Sequence, residues 1–182
     1  MTTATMEEKA TTKMMEPFLS EFRAEAATTR RVIERIPADK LGWKPHAKSM
    51  SLGGLAMHIA DGPGSIAAML QQDAFNVDPA AFQPAAPKNL DEIKTAFEQS
   101  VVKAESFLAT MTEQSATETF QLKVLGKTRL NQPRIALVRT IMMNHIYHHR
   151  GQLSVYLRLL DVPVPSIYGP SKDENPPAWA ND

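Results

Sequence analysis

The sequence predicts an all-α domain: a four-helix bundle with a long connection between its halves and a proline-rich C-terminal tail. Three observations predict it. Apolar residues recur at three- and four-residue steps in four segments, prolines punctuate the connections, and 182 residues suit one domain with a sizeable core.

Residues 1–14 read as a flexible N-terminal tail and residues 15–182 as a single helical domain. The first helix begins near Glu16-Pro17, since proline is tolerated in a first turn, and carries Phe18, Phe22, Ala26, Val32, Ile33 and Ile36 to a stop at Pro37. The second takes Ser49 or Ser51 as N-cap and aligns Leu52, Leu55, Ile59, Ile66, Met69 and Leu70. His58 borders that stripe. Gly62-Pro63-Gly64 predicts a kink or break one turn further on, because proline cannot donate to the carbonyl four residues back. Val77 to Pro87 holds three prolines and no helical period, which marks a loop long enough for a crossover. The third helix opens with Asn89 or Asp91 as cap and runs through Ile93, Phe97 and Val101 to about Met111. Phe120, Leu122 and Val124 then alternate with polar residues before Gly126-Lys127, the pattern of a short strand or hairpin. The fourth and longest helix spans about Pro133 to Leu160 and places Val138, Ile141, Met142, His145, His149, Leu153 and Tyr156 on one apolar stripe. Pro163-Val164-Pro165 stops it, leaving Ser166 to Asp182 as an extended tail packed across the bundle.

Composition narrows the function. Twenty Lys+Arg balance twenty Asp+Glu, so no net field gathers nucleic acid or anionic membrane. Apolar runs end well short of the ~20 residues of a membrane span, and Met1 to Met15 lacks a signal-peptide core; the expectation is a cytoplasmic protein. With no cysteine, thiolate–zinc sites, iron–sulfur clusters and a cysteine nucleophile are excluded, and any metal must use nitrogen and oxygen ligands.

The chemistry concentrates in Asn144-His145-Ile146-Tyr147-His148-His149-Arg150-Gly151-Gln152, which holds three of the five histidines. Residues four apart share a helix face, so His145 and His149 can point at one ion, with His58 as the third ligand. Three imidazoles and an open position make a catalytic-type metal site. The competing reading is buried histidines that only hydrogen-bond. His148 competes as a ligand at i,i+3 but is rotated about −60° from His145, against about +40° for His149, and is given a neighbouring role. His-Glu-x-x-His is absent, which disfavours that class of peptide hydrolysis. His46 reads as an exposed loop residue. Asp61 and Arg150 are the candidate catalytic residues: Asp61 to accept an N–H from His58 or activate water, Arg150 to hold an anionic group, with solvation and an interhelical salt bridge as their ordinary alternatives. Gln152 flanks the ligand pair.

As a set, Leu41-Gly42-Trp43-Lys44-Pro45-His46, Lys48 to Gly53, Leu55-Ala56-Met57-His58-Ile59, the Asn144 to Gln152 stretch with its His-His-Arg-Gly-Gln ending, Tyr156-Leu157-Arg158 and Val162 to Pro165 resemble the DinB-like family of damage- or stress-inducible proteins, which overlaps the bacillithiol and mycothiol S-transferase superfamily. The resemblance spans most of the chain. It implies a four-helix bundle of unusual connectivity, a homodimer, and a divalent metal (Zn, Ni or Fe) on the histidines matching His58, His145 and His149. It also implies transfer of a low-molecular-weight thiol to a small electrophile, or isomerisation of a substrate with thiol help; the functional expectation is a metal-dependent thiol transferase-like or hydrolase-like enzyme in stress or detoxification. The alternative is a non-catalytic dimeric stress protein with a structural or sensing metal. DNA binding is not implied.

Overall fold

The computed structural model describes residues 3–80 and 86–179, with residues 3–13 described by backbone alone. Helix α1 runs Thr3–Glu34, well ahead of the expected start at Glu16-Pro17. Residues 1 and 2 of the expected tail lie outside the described residues. Pro17 sits inside α1 on an exposed position, where water can serve the carbonyl its ring leaves without a donor. The buried positions of α1 are Met15, Phe22, Ala26, Thr29, Val32 and Ile33.

After a 3₁₀ turn, Ala38–Lys40, helix α2 spans Leu52–Leu70. Its N-cap is Ser51, whose side chain accepts from the Gly54 N–H. Of the kink or break expected at Gly62-Pro63-Gly64, the break does not occur, since α2 continues to Leu70. The neighbouring helix α3, Leu90–Thr110, supplies the reason. Ser100 accepts the Gly64 N–H at 2.7 Å and donates to the Asp61 carbonyl at 3.3 Å, knitting the backbone around Pro63 to α3. A Cβ on Gly64 would lie 2.9 Å from Ser100 Cα, so glycine is what lets the helices approach here. Asn89 caps α3 through the Glu92 N–H, settling the choice between Asn89 and Asp91.

The all-α expectation is corrected by a sheet. Strand β1, Ala74–Val77, lies parallel to β2, Thr119–Val124, which pairs antiparallel with β3, Lys127–Pro133. The β2–β3 hairpin turns on Leu125 and Gly126, both at positive φ, as a two-residue turn with the right twist requires. Strand β1 lies just ahead of the expected Val77 to Pro87 loop and meets it at Val77; residues 81–85 of that loop fall outside the described residues. A short helix α4, Glu113–Thr117, precedes β2 with a capping box between Thr112 and Ser115.

The last helical stretch is α5, Arg134–Leu137, a π segment, Val138–Met143, and α6, Asn144–Leu159. The π segment was not expected from the 3.6 period, and it shifts the phase of everything after it. The buried line of α6 is Ile146, Arg150, Leu153 and Leu157. His145 and His149 therefore flank the apolar stripe, half-buried, instead of lying along it. Buried Arg134 ties the sheet to α2: it donates to the Leu70 and Gln72 carbonyls, both at 3.1 Å, and pairs with Glu118 at 2.9 Å. A guanidinium on the last carbonyls of α2 complements that end of the helix dipole. The C-terminal stretch lies against α1, where Arg31 pairs with Glu174 and also reaches Ser166.

Candidate metal centre

Apolar packing of α2 against α6 and the π segment sets the distance between the histidines. Leu55, Ile59, Met142 and Ile146 are buried in the same core, and His58, His145 and His149 sit at its edge. His145 Nε2 lies 3.2 Å from His58 Nε2 and 3.0 Å from His149 Nε2. The rings stand nearly perpendicular to one another, at 81°, 88° and 89°, so their nitrogen tips converge while their faces stay apart. The structure thus brings together the three residues predicted as metal ligands, and their ligand atoms all lie within 4.8 Å of one another.

This donor set fits a divalent ion. At Zn–N bonds of ~2.0–2.1 Å a tetrahedral edge is about 3.3 Å, close to the two observed separations. The protonation states agree. Burial, followed by neighbouring His149, His58 and His148, pushes His145 down to about 4, and burial first of all lowers His58 and His149 as well. At neutral pH the rings are neutral, as ligation demands. Gln152 Oε1 lies 2.7 Å from His149 Nδ1; a carbonyl oxygen only accepts, so Nδ1 carries the proton and Nε2 keeps its lone pair for the centre. No more than one N–H can lie between any two of these nitrogens, whereas a cation satisfies three lone pairs together.

The other predicted residues lie apart from this convergence. Asp61 is exposed and accepts from Ser65 Oγ at 2.6 Å. Arg150, 1% exposed, donates to the Glu25 carbonyl and Thr29 Oγ1 at 3.1 Å and to Tyr168 at 2.6 Å, and pairs with Glu25 at 2.5 Å. Those contacts join α6 to α1 and the tail. His46 is an exposed loop residue whose Nδ1 accepts the Lys48 N–H. His148 is exposed, with its ring 4.7 Å from that of His149.

A cavity of about 740 Å³ opens beside the centre, and His145 lines it together with His148, Asn144 and Thr140. The opposite walls come from Ile66 and Met69 of α2, Phe75 of β1 and Leu122 of β2. Sequence reasoning missed this pocket because it missed β1. The signal was there: Phe75 and Val77 alternate with polar residues, the period of a strand, but only four residues carry it.

The comparisons with known proteins agree with this architecture. Residues 6–178 match the sequence profile of the DinB family. An uncharacterised Bacillus subtilis protein, YrdA, is 26% identical over 168 residues, covering 91% of this chain and 92% of its own. The fold is similar to the crystal structure of a DinB-like protein from Bacillus cereus, with a TM-score of 0.67 and 20% identity over 84% of this chain and 97% of that one. A DinB-like protein from Bacillus subtilis gives a TM-score of 0.60 at 24% identity over 79% and 91% of the two chains. By the extent of the profile match and the shared fold, this chain belongs to the DinB family.

Proposed function

We propose that this DinB family protein is a divalent-metal-dependent enzyme of the thiol S-transferase or hydrolase type, with His58, His145 and His149 as the metal ligands. The observation that carries the reading is the convergence of three neutral Nε2 atoms, 3.0 and 3.2 Å apart where they touch His145, at the wall of a cavity. A divalent ion held by three imidazoles keeps an open position and lowers the pKa of a water or thiol placed there. The residues of this chain do the rest: Gln152 fixes the tautomer and tilt of His149, and the cavity gives a substrate access from the His145 side. A cavity that reaches His145 favours a catalytic role over a purely structural or sensing metal, whose coordination would be closed.

Within the same reading fall a zinc, nickel or iron ion, a homodimer, a four-helix bundle formed by α1, α2, α3 and the α5–α6 stretch, a small-thiol co-substrate and a role in stress or detoxification. No described helix is long and apolar enough to cross a membrane. Elemental analysis of protein purified without affinity tag or chelator tests the proposal beside the His149→Ala variant. About one ion per chain, lost in the variant, is the expected result for a three-ligand site. No ion in the wild-type protein, even after reconstitution, rejects it.

A further inference from the structure

We infer that the cavity beside the three histidines takes the apolar body of an uncharged small molecule and presents that molecule's donor atom to the centre. The inference rests on the metal reading above and adds the class of substrate. At about 740 Å³ the cavity lies within the ~300–1,000 Å³ of small-molecule sites. Its walls are two-sided. Ile66, Met69, Phe75, Leu122 and Ile141 form the apolar side, packed on the core yet left half-buried by it. Asn144, His145 and His148 of α6 and Thr140 of the π segment form a polar side. Of the three proposed ligands His145 alone lines the cavity, so a molecule lying along the apolar walls meets the centre at that residue.

Charge decides the class of occupant. Among the described residues no Asp, Glu, Lys or Arg lines the cavity. Along the walls away from the centre, a phosphate, sulfonate or carboxylate would give up its hydration with no charged side chain to replace it, whereas a chain or ring buries apolar area at no such cost. The polar groups available, the Gln72 and Asn144 amides, the Ser65 and Thr140 hydroxyls and two imidazoles, suit a neutral head group. A small molecule is favoured over a second copy of the chain because the volume is that of a small-molecule site and a proposed ligand histidine forms part of the lining.

Two probes test this. N-phenyl-1-naphthylamine, an uncharged fluorophore, reads the apolar walls with or without metal. Straight-chain hydroxamates from acetohydroxamate to octanohydroxamate read the walls and centre together on the metal-loaded protein. Affinity is expected to rise up to about fourfold per added methylene, and a carboxylate on the far end of the chain to abolish that gain. In Ile141→Glu the fluorophore is no longer bound and the chain-length dependence disappears, while metal content and acetohydroxamate binding persist; Ile66→Glu serves if that variant does not fold. Equal affinity along the series with metal present overturns the inference and leaves the metal reading standing. Absence of metal, with fluorophore binding still lost in Ile141→Glu, sinks the metal reading and upholds the apolar cavity. Fluorophore binding that falls as protein concentration rises assigns the cavity to a second copy and overturns the proposal.

Discussion

Two polar clusters meet α6 at adjacent residues, and they are built on opposite principles. Arg150 is sealed into the α1 face, with its guanidinium matched by the Glu25 carboxylate, the Thr29 hydroxyl and the Tyr168 hydroxyl, and with the Tyr147 and Tyr168 rings 5.7 and 5.1 Å from it. Both terminal guanidinium nitrogens have acceptors inside the protein. His149, one residue earlier, faces α2 and joins a group of like nitrogens, all lone-pair donors. A cluster whose donors and acceptors are matched stabilises the fold, whereas converging lone pairs suit a cation.

The largest expected effect breaks the complete cluster. Arg150→Ala leaves Glu25, whose side chain is 14% exposed, without its partner. Truncating one side of a buried ion pair costs on the order of 3–5 kcal/mol. Urea unfolding of the variant measures it, and a loss below about 1 kcal/mol would contradict a structural role for Arg150. Whatever fraction stays folded should retain metal, because no ligand is touched.

Next in size is the incomplete cluster. His145→Ala removes the nitrogen that contacts both others, and bound metal should fall to background with the fold retained, by elemental analysis and circular dichroism. Excess metal should stabilise the wild-type chain by about 2.7 kcal/mol at a hundredfold excess over Kd, and the variant not at all. The metal-free protein gives a second signature. His145 is held at about 4 against an ordinary 6.5, chiefly by burial, so between those values the unfolded chain binds protons that the folded chain refuses. Stability therefore rises with pH from about 4 to about 6.5, and this group adds no slope above that. Denaturation midpoints across the window should show the rise in wild type and a shallower one in His145→Gln; identical slopes would refute the assignment.

Much of this contrast was legible in the residues. The i,i+4 spacing of His145 and His149 and the isolated His58 in Leu55 to Ile59 pointed to the three rings that converge, because helical geometry is local. The face was not legible, because the π segment Val138–Met143 rotates α6 relative to a continuous 3.6 period and puts Arg150 on the buried line. The pocket was less legible still. It depends on a parallel pairing of Ala74–Val77 with Gln121–Val124, a contact across more than forty residues that no local pattern announces. Pro63 misled for a related reason: the rescue of its helix comes from Ser100 on α3.

Gln152 sharpens the comparison at smaller cost. It holds His149 Nδ1 without touching the proposed ion, so Gln152→Ala should weaken metal binding by about 10–100-fold through loss of orientation, with stoichiometry restored at high metal. Gln152→Glu, which still accepts the N–H, should recover most of the affinity. Competition titration against a metal indicator separates the cases, and an unchanged affinity in Gln152→Ala would remove Gln152 from the centre.

The smallest effect is expected at His148, and it is the most discriminating. His148 is as close in sequence to His149 as Arg150 is, and its ring lies 4.7 Å from that of His149, nearly the distance that separates the three converging rings. It is exposed and lines the cavity, yet its nitrogens are outside the convergent set. Composition alone would count it as a fourth ligand. Geometry gives it the wall of the cavity, so His148→Ala should change metal affinity less than about threefold, the loss of one weakly interacting neighbour rather than of a coordinate bond. Its stability should stay within about 0.5 kcal/mol of wild type, as for an ordinary surface substitution. Loss of bound metal in His148→Ala comparable to that in His145→Ala would mean that the centre closes on four histidines, and a closed centre would favour a structural metal over the catalytic reading.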